Sequence, residues 1–270
     1  MDARPIGVFD SGLGGLTTVK KLIESLPQED IIYLGDTGRV PYGSRSRETI
    51  TKYACQDAAF LAEYGIKAMV IACNTACSAA YSVLDGIYDM PVYEVINVPA
   101  RAAVSTTKNG KIGVIGTAAT IRSRAYEIAL RQISEDIQVV SVPCPLFVPL
   151  VENGRTDAGD IAVTTIAEDY LKILNESGVD TLIMGCTHYP LLRGVISNVM
   201  GPGVVLIDSG EETAKLVADD LRKREMLSSS GGRGTIKYFV TDSTDGFSTM
   251  ASRFLESDVS GNVEQVNIGS

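Results

Sequence analysis

Two cysteines end matching segments of this chain, Ala68-Met69-Val70-Ile71-Ala72-Cys73-Asn74 and Thr181-Leu182-Ile183-Met184-Gly185-Cys186-Thr187. Each closes a short apolar run of the kind that makes a buried strand, and each precedes residues at helical spacing, 76–84 and 189–198. Ligands of open α/β sheets bind beyond the carboxyl ends of the strands, so both thiols fall where such folds do chemistry. A thiolate on one face of a carbon acid can remove its proton while a thiol on the other face returns one, inverting the centre; in the reverse direction the roles exchange. An ordinary cysteine, with a pKa of about 8.5, is only a few per cent thiolate at neutral pH. A helix N-terminus favours the thiolate by about 0.3–1 kcal/mol, roughly one pKa unit or less, so polar neighbours must add to it. His188, the only histidine, stands two residues after Cys186. Asn74, Thr75 and Thr187 offer donors to a carboxylate or to developing enolate charge. Cys55, Cys77 and Cys144 read as small buried hydrophobes.

Other chemistries fit less well. Asp10-Ser11-Gly12-Leu13-Gly14-Gly15 is glycine-rich but lacks the Gly-Lys-Ser/Thr ending of a phosphate loop, and Thr17 stands where a dinucleotide fingerprint needs glycine. One histidine and dispersed cysteines give no metal site. A Cys–His hydrolase would bring its histidine from a distant part of the chain. The 33 acidic residues outnumber the 24 basic ones, for a net charge of −9 that repels nucleic acid and anionic membranes. No arginine-lysine stripe or aromatic ladder suggests a nucleic-acid partner. Met1-Asp2-Ala3-Arg4-Pro5 does not open a signal peptide, and no apolar run approaches the roughly 18 residues that cross a bilayer. With five cysteines, an odd number and widely spread, the expectation is a reduced, cytoplasmic protein with no membrane partner.

The elements that must carry these residues alternate. Strand-like runs at 6–9, 31–34 and 68–72 are separated by helical patterns from Val19 to Leu26, stopped by Pro27, and over 47–64, stopped by Gly65. The rhythm resumes with strands at 111–115, 138–142, 181–184 and 204–207 and helices at 120–133, 157–176 and 211–224. Residues 228–232 read as a surface loop before a terminal strand at 235–240 and a helix at 247–255. This predicts parallel sheets covered by helices. The chain also echoes itself: Ile6-Gly7-Val8-Phe9 is matched by Ile112-Gly113-Val114-Ile115, and the Cys73 segment by the Cys186 segment, in the same order and at similar offsets. Two related α/β halves facing each other would present one thiol from each side.

Four motifs carry a resemblance: Phe9-Asp10-Ser11-Gly12-Leu13-Gly14-Gly15, Gly35-Asp36-Thr37-Gly38-Arg39-Val40-Pro41-Tyr42-Gly43, Ala72-Cys73-Asn74-Thr75-Ala76 and Gly185-Cys186-Thr187-His188-Tyr189-Pro190-Leu191-Leu192. With weaker matches at Ile115-Gly116-Thr117 and Phe147-Val148-Pro149-Leu150-Val151-Glu152, the sequence resembles the glutamate racemases of the aspartate/glutamate racemase superfamily over nearly its whole length. The resemblance implies two flavodoxin-like parallel-sheet domains related by pseudo-two-fold symmetry, 1–97 plus 210–270 and 98–209, with the active site between them. It implies cofactor-independent interconversion of L- and D-glutamate, supplying D-glutamate for peptidoglycan, and a homodimer, since relatives are often dimers. By the same resemblance Cys73 and Cys186 are the acid/base pair, Asp10 assists the first, His188 the second, and Glu152 is auxiliary near Cys186. Ser11, Pro41, Tyr42, Gly43, Asn74, Thr75, Thr117 and Thr187 would hold the substrate, Asp10 lying among them. From residue chemistry alone Ser11, Thr75 and Thr187 suit helix capping equally, and Asp10 a turn. The chain departs from the family pattern at Gly38, at Ala118-Ala119 and at Leu146; the second departure bears on where Thr117 sits. The alternatives are a racemase for aspartate or another amino acid, against which Cys-Thr-His-Tyr-Pro argues, and a non-catalytic carboxylate-binding protein.

Overall fold

The computed structural model describes residues 1–229, 231–257, 259 and 261–269. Chain order begins with β1 (Ile6–Asp10), α1 (Leu16–Ser25), β2 (Ile31–Gly35), α2 (Arg47–Ala62), β3 (Ala68–Ile71), α3 (Asn74–Asp85), β4 (Val92–Glu94) and α4 (Asn97–Thr106). It continues through β5 (Lys111–Gly116), α5 (Ala118–Ser123), α6 (Ala125–Ile133), β6 (Gln138–Pro143), α7 (Phe147–Glu152), α8 (Ile161–Ser177), β7 (Thr181–Gly185), α9 (Arg193–Met200) and β8 (Val205–Asp208). The last elements are α10 (Ser209–Lys223), β9 (Ile236–Val240), α11 (Thr244–Leu255) and β10 (Val263–Gln265).

The strands form two sheets, β10-β9-β2-β1-β3-β4 and β6-β5-β7-β8, and their pairings are parallel. Parallel neighbours need crossovers, which the helices supply on both faces. That double cover explains why β1, β2, β3 and β7 are buried along their whole length. The runs β2-β1-β3-β4 and β6-β5-β7-β8 repeat one flavodoxin-type order. The sequence echo lies at equivalent places: β1 pairs β3 with Ile6 opposite Ala68, and β5 pairs β7 with Ile112 opposite Thr181. Each thiol therefore follows the strand beside its sheet's first strand. Strands β9 and β10, late in the chain, extend the first sheet.

Some local expectations change. The helix expected over 120–133 is two helices, because Arg124 takes a left-handed conformation (φ 55°) between α5 and α6 while its guanidinium pairs with Glu127 at 2.7 Å. Helix α8 starts at Ile161, where the Asp160 carboxylate accepts from Ala162 N–H, rather than at 157. The segment after Cys186 is a 3₁₀ turn, Tyr189–Leu192, before α9 begins. The strand at 236–240 is followed by β10, so it is not terminal. Of the expected loop 228–232, Ser230 lies outside the described residues.

The base of β3, opposite its thiol-bearing end, is fixed by a buried ion pair. Lys67 and Glu29 are both buried; the Lys67 ammonium meets the Glu29 carboxylate and donates to the carbonyls of Asp2 and Met226, each at 2.7 Å. Glu29 also accepts from Ser228 N–H at 2.7 Å. All three ammonium protons thus have acceptors, which a buried lysine requires. Lys67→Met should destabilise the protein by about 3–5 kcal/mol in urea unfolding, because it strands the Glu29 carboxylate, and Lys67→Met with Glu29→Leu should recover most of that loss. A single variant as stable as the parent would show that the pair does not anchor β3.

Candidate active site

Both thiols line one cavity of about 570 Å³. Its wall includes Ser11, Pro41, Tyr42 and Gly43 from loops of the first sheet, Cys73, Asn74 and Thr75 at the β3–α3 junction, Thr117 after β5, Glu152 of α7, and Cys186, Thr187 and His188 after β7. The structure therefore brings together every residue expected at the site except Asp10, which is fully buried behind the wall.

Cys73 sits where β3 passes into α3 and is itself that helix's N-cap, its sulfur accepting from Ala76 N–H at 3.4 Å. Its thiol also lies 3.4 Å from Ser11 Oγ. Those contacts favour thiolate, yet burial outweighs them: desolvation, with the Asp10 carboxylate adding, pushes Cys73 up to about 12. Cys186 is raised in the same way, burial dominating over the opposing His188 backbone N–H. The helix-terminus effect anticipated for both thiols is real at Cys73 but smaller than desolvation. At Cys186 it is weakened further, since a 3₁₀ turn follows in place of an α-helix.

Around Cys186 the polar groups form a chain. Its sulfur is 4.0 Å from His188 Nδ1, and His188 Nε2 is 3.1 Å from Glu152 Oε1. A carboxylate can only accept, so Nε2 carries a proton, and a neutral ring turns the Nδ1 lone pair to the thiol. Asp10 accepts from Gly12 N–H at 2.9 Å and lies 3.4 Å from Thr187 Oγ1, tying the end of β1 to the end of β7. Burial raises Asp10 above the usual carboxylate range, with His188 and the N–H groups of Gly12 and Gly15 opposing. Thr17 Oγ1 donates to the Thr187 carbonyl at 2.8 Å, a second tie at the same point. Gly14 fills the remaining contact: a Cβ there would stand 2.5 Å from His188 Nδ1.

Across the cavity Thr75 Oγ1 and Thr117 Oγ1 are 2.9 Å apart, and Thr117 caps α5 through Thr120 N–H. The altered turn after Thr117 thus leaves it on the wall. The Tyr42 side chain points away, its hydroxyl meeting the Asp36 and Asp57 carboxylates that Arg39 also holds, at 2.6 and 2.8 Å. Capping does not account for the other hydroxyls, since Gly15 occupies the N-cap of α1, Thr75 lies inside α3, and His188 precedes the 3₁₀ turn after Cys186.

Among the wall residues that escaped the sequence reading, two carry reactive or charged groups. Cys144, read as a packing residue, lines the cavity, and Arg122 is the only lysine or arginine in the wall among the described residues. Arg122 lies in the last turn of α5, and placing the helix start at 120 hid its relation to Thr117.

Residues 6–217 match the Asp/Glu/Hydantoin racemase family model. The chain is 49% identical to the glutamate racemase of Geobacter metallireducens over 99% of its length and 98% of that protein, and 46% identical to that of Mycobacterium ulcerans over 95% and 94%. Among solved structures it resembles a glutamate racemase isoform from Bacillus anthracis with a TM-score of 0.94, at 40% identity, covering 99% of this chain and 98% of that one. The glutamate racemase from Francisella tularensis, solved with D-glutamate, gives 0.91 at 38% identity, with the same coverage. With its paired parallel sheets, shared cavity and full-length similarity, the chain belongs to the Asp/Glu/Hydantoin racemase family, enzymes of the isomerase class.

Proposed function

We propose that this protein interconverts L- and D-glutamate without a cofactor, Cys73 and Cys186 serving as the acid/base pair. The observation that carries the reading is the placement of two buried thiols, at equivalent strand ends of two sheets, in the wall of one cavity. One thiolate takes the Cα proton and becomes a thiol. The electron pair left on Cα is delocalised into the carboxylate as enolate, and the opposite thiol delivers its proton to the other face and becomes the thiolate. Charge is conserved and the two states differ only in which sulfur bears it. His188, held by Glu152, takes up or returns a proton at Cys186; Asp10 bears on Cys73 electrostatically. Neutral groups of the wall, the hydroxyls of Ser11, Thr75, Thr117 and Thr187, the Asn74 amide and the backbone of Pro41, Tyr42 and Gly43, hold the substrate.

Glutamate is the substrate we favour because the relatives above carry that name and one was solved with D-glutamate. Our reading further has the product feed peptidoglycan synthesis and so cell-wall shape, in the cytoplasm. Among the described residues no helix is long and apolar enough to cross a membrane. We divide the chain into domains at 1–97 plus 210–270 and 98–209, a division supported by the return of β9 and β10 to the first sheet. A homodimer is part of this reading.

Cys73→Ala and Cys186→Ala should each cut racemisation by about a thousandfold or more while leaving the thermal unfolding temperature within a few degrees; near-normal turnover in either would refute the two-thiol pair. Because burial raises both thiols, each is protonated at neutral pH, and thiolate grows about tenfold per pH unit below its pKa. The free enzyme's kcat/KM should therefore climb from pH 7 to 9 and fall only where the second thiol also ionises; a flat profile would argue against thiolate as the base. Gly14→Ala should lower kcat about 10–100-fold by displacing Thr187 and His188, measured by the rate of D-glutamate formation, whereas an unchanged kcat would mean that this contact does not set the geometry.

A further inference from the structure

Asn74 opens α3, is buried and lines the cavity. Its amide nitrogen reaches three oxygens: the Val95 carbonyl at 3.2 Å, Tyr126 Oη at 2.8 Å and Ser209 Oγ at 3.3 Å. The amide nitrogen shares its two protons among these three oxygens, each of which accepts. The Val95 carbonyl only accepts, so the Asn74 atom facing it is nitrogen. The Tyr126 hydroxyl gives its single proton to the same carbonyl, at 2.7 Å, and therefore accepts from Asn74. The Ser209 hydroxyl donates to the Met184 carbonyl, at 3.2 Å, and accepts likewise. The amide cannot turn over without placing its oxygen against a carbonyl. What remains is the Asn74 amide oxygen, buried and without a partner among the described residues. A buried acceptor left this way is costly unless a ligand completes it.

The cluster also joins both sheets: Asn74 and Val95 follow β3 and β4, whereas Tyr126 lies on α6 and Ser209 follows β8. We propose that Tyr126 and Ser209 are positioning residues that lock the Asn74 amide with its oxygen free to accept from the α-ammonium of the substrate. An amide oxygen can bind only a donor, and the ammonium is the one donor of an amino dicarboxylate at neutral pH. The proposal rests on the amino-acid racemase reading and deepens it. It adds two residues that touch no substrate to the machinery that orients the Cα–H bond between the thiols.

The test compares ligands with and without the amine. Tyr126→Phe and Ser209→Ala are each titrated calorimetrically with glutamate and with glutarate, which has the same two carboxylates and chain length but no amine. Glutamate affinity should fall about tenfold, and KM rise with it, while glutarate affinity stays within about twofold. Equal losses for both ligands, or no loss for glutamate, would overturn the positioning role. Ser209→Ala, the smaller change, keeps the comparison available should Tyr126→Phe unfold. Wild-type turnover separates the two claims: if the wild type racemises aspartate and not glutamate, the substrate reading fails, and the same comparison with aspartate and succinate still decides the role of Tyr126 and Ser209.

Discussion

Burial sets the protonation of both thiols, and the rest of the site is arranged around that cost. A sulfur at the end of a fully covered parallel strand is removed from water, so its charged form is disfavoured by more than one helix terminus or one hydroxyl returns. Cys73 has both of these and still sits at about 12. In our account the resting pair is doubly protonated at neutral pH, and the reacting form is the minor one in which a single thiol has ionised. If both thiols were strong acids, both would ionise and no proton would remain for delivery. If both stayed protonated, none would accept the Cα proton.

Placement of the pair depends on where the two sheets touch. The ends of β1 and β7 meet through Asp10, Thr187, Thr17 and the bare backbone of Gly14, so the first sheet's glycine-rich loop packs directly on the residues following Cys186. On the other side Asn74, Tyr126 and Ser209 make a second junction, and Thr75 meets Thr117 beside it. The cavity lies between these polar seams. Such seams hold sheet ends in register without filling the space between them, as an apolar contact would.

Much of this was legible in the sequence because strand ends are marked by composition. Apolar runs that stop at Asp10, Cys73 and Cys186 pointed to parallel, helix-covered sheets, and the echo between them to the equivalence of two halves. Less visible were elements whose signal is short or interrupted. Strand β4 is only Val92-Tyr93-Glu94, α4 carries Pro99 in its first turn, and the break at Arg124 has no glycine or proline to mark it. The same limits apply at the site. Cys144 and Arg122 line the cavity because of how α5 and β6 are set, which no local pattern records. Tyr126 and Ser209 are far from Asn74 in sequence, and their bonds exist only once the sheets are joined.

The account turns on proton exchange at Cα by two groups on opposite faces. The most direct measurement is incubation of the protein with L-glutamate in deuterated water, following optical rotation and Cα deuterium together. The two-thiol account predicts that rotation decays while deuterium enters the newly formed D-glutamate, the remaining L-glutamate staying largely protiated early in the reaction. Product that keeps the original proton, or loss of rotation with no deuterium uptake, would contradict it.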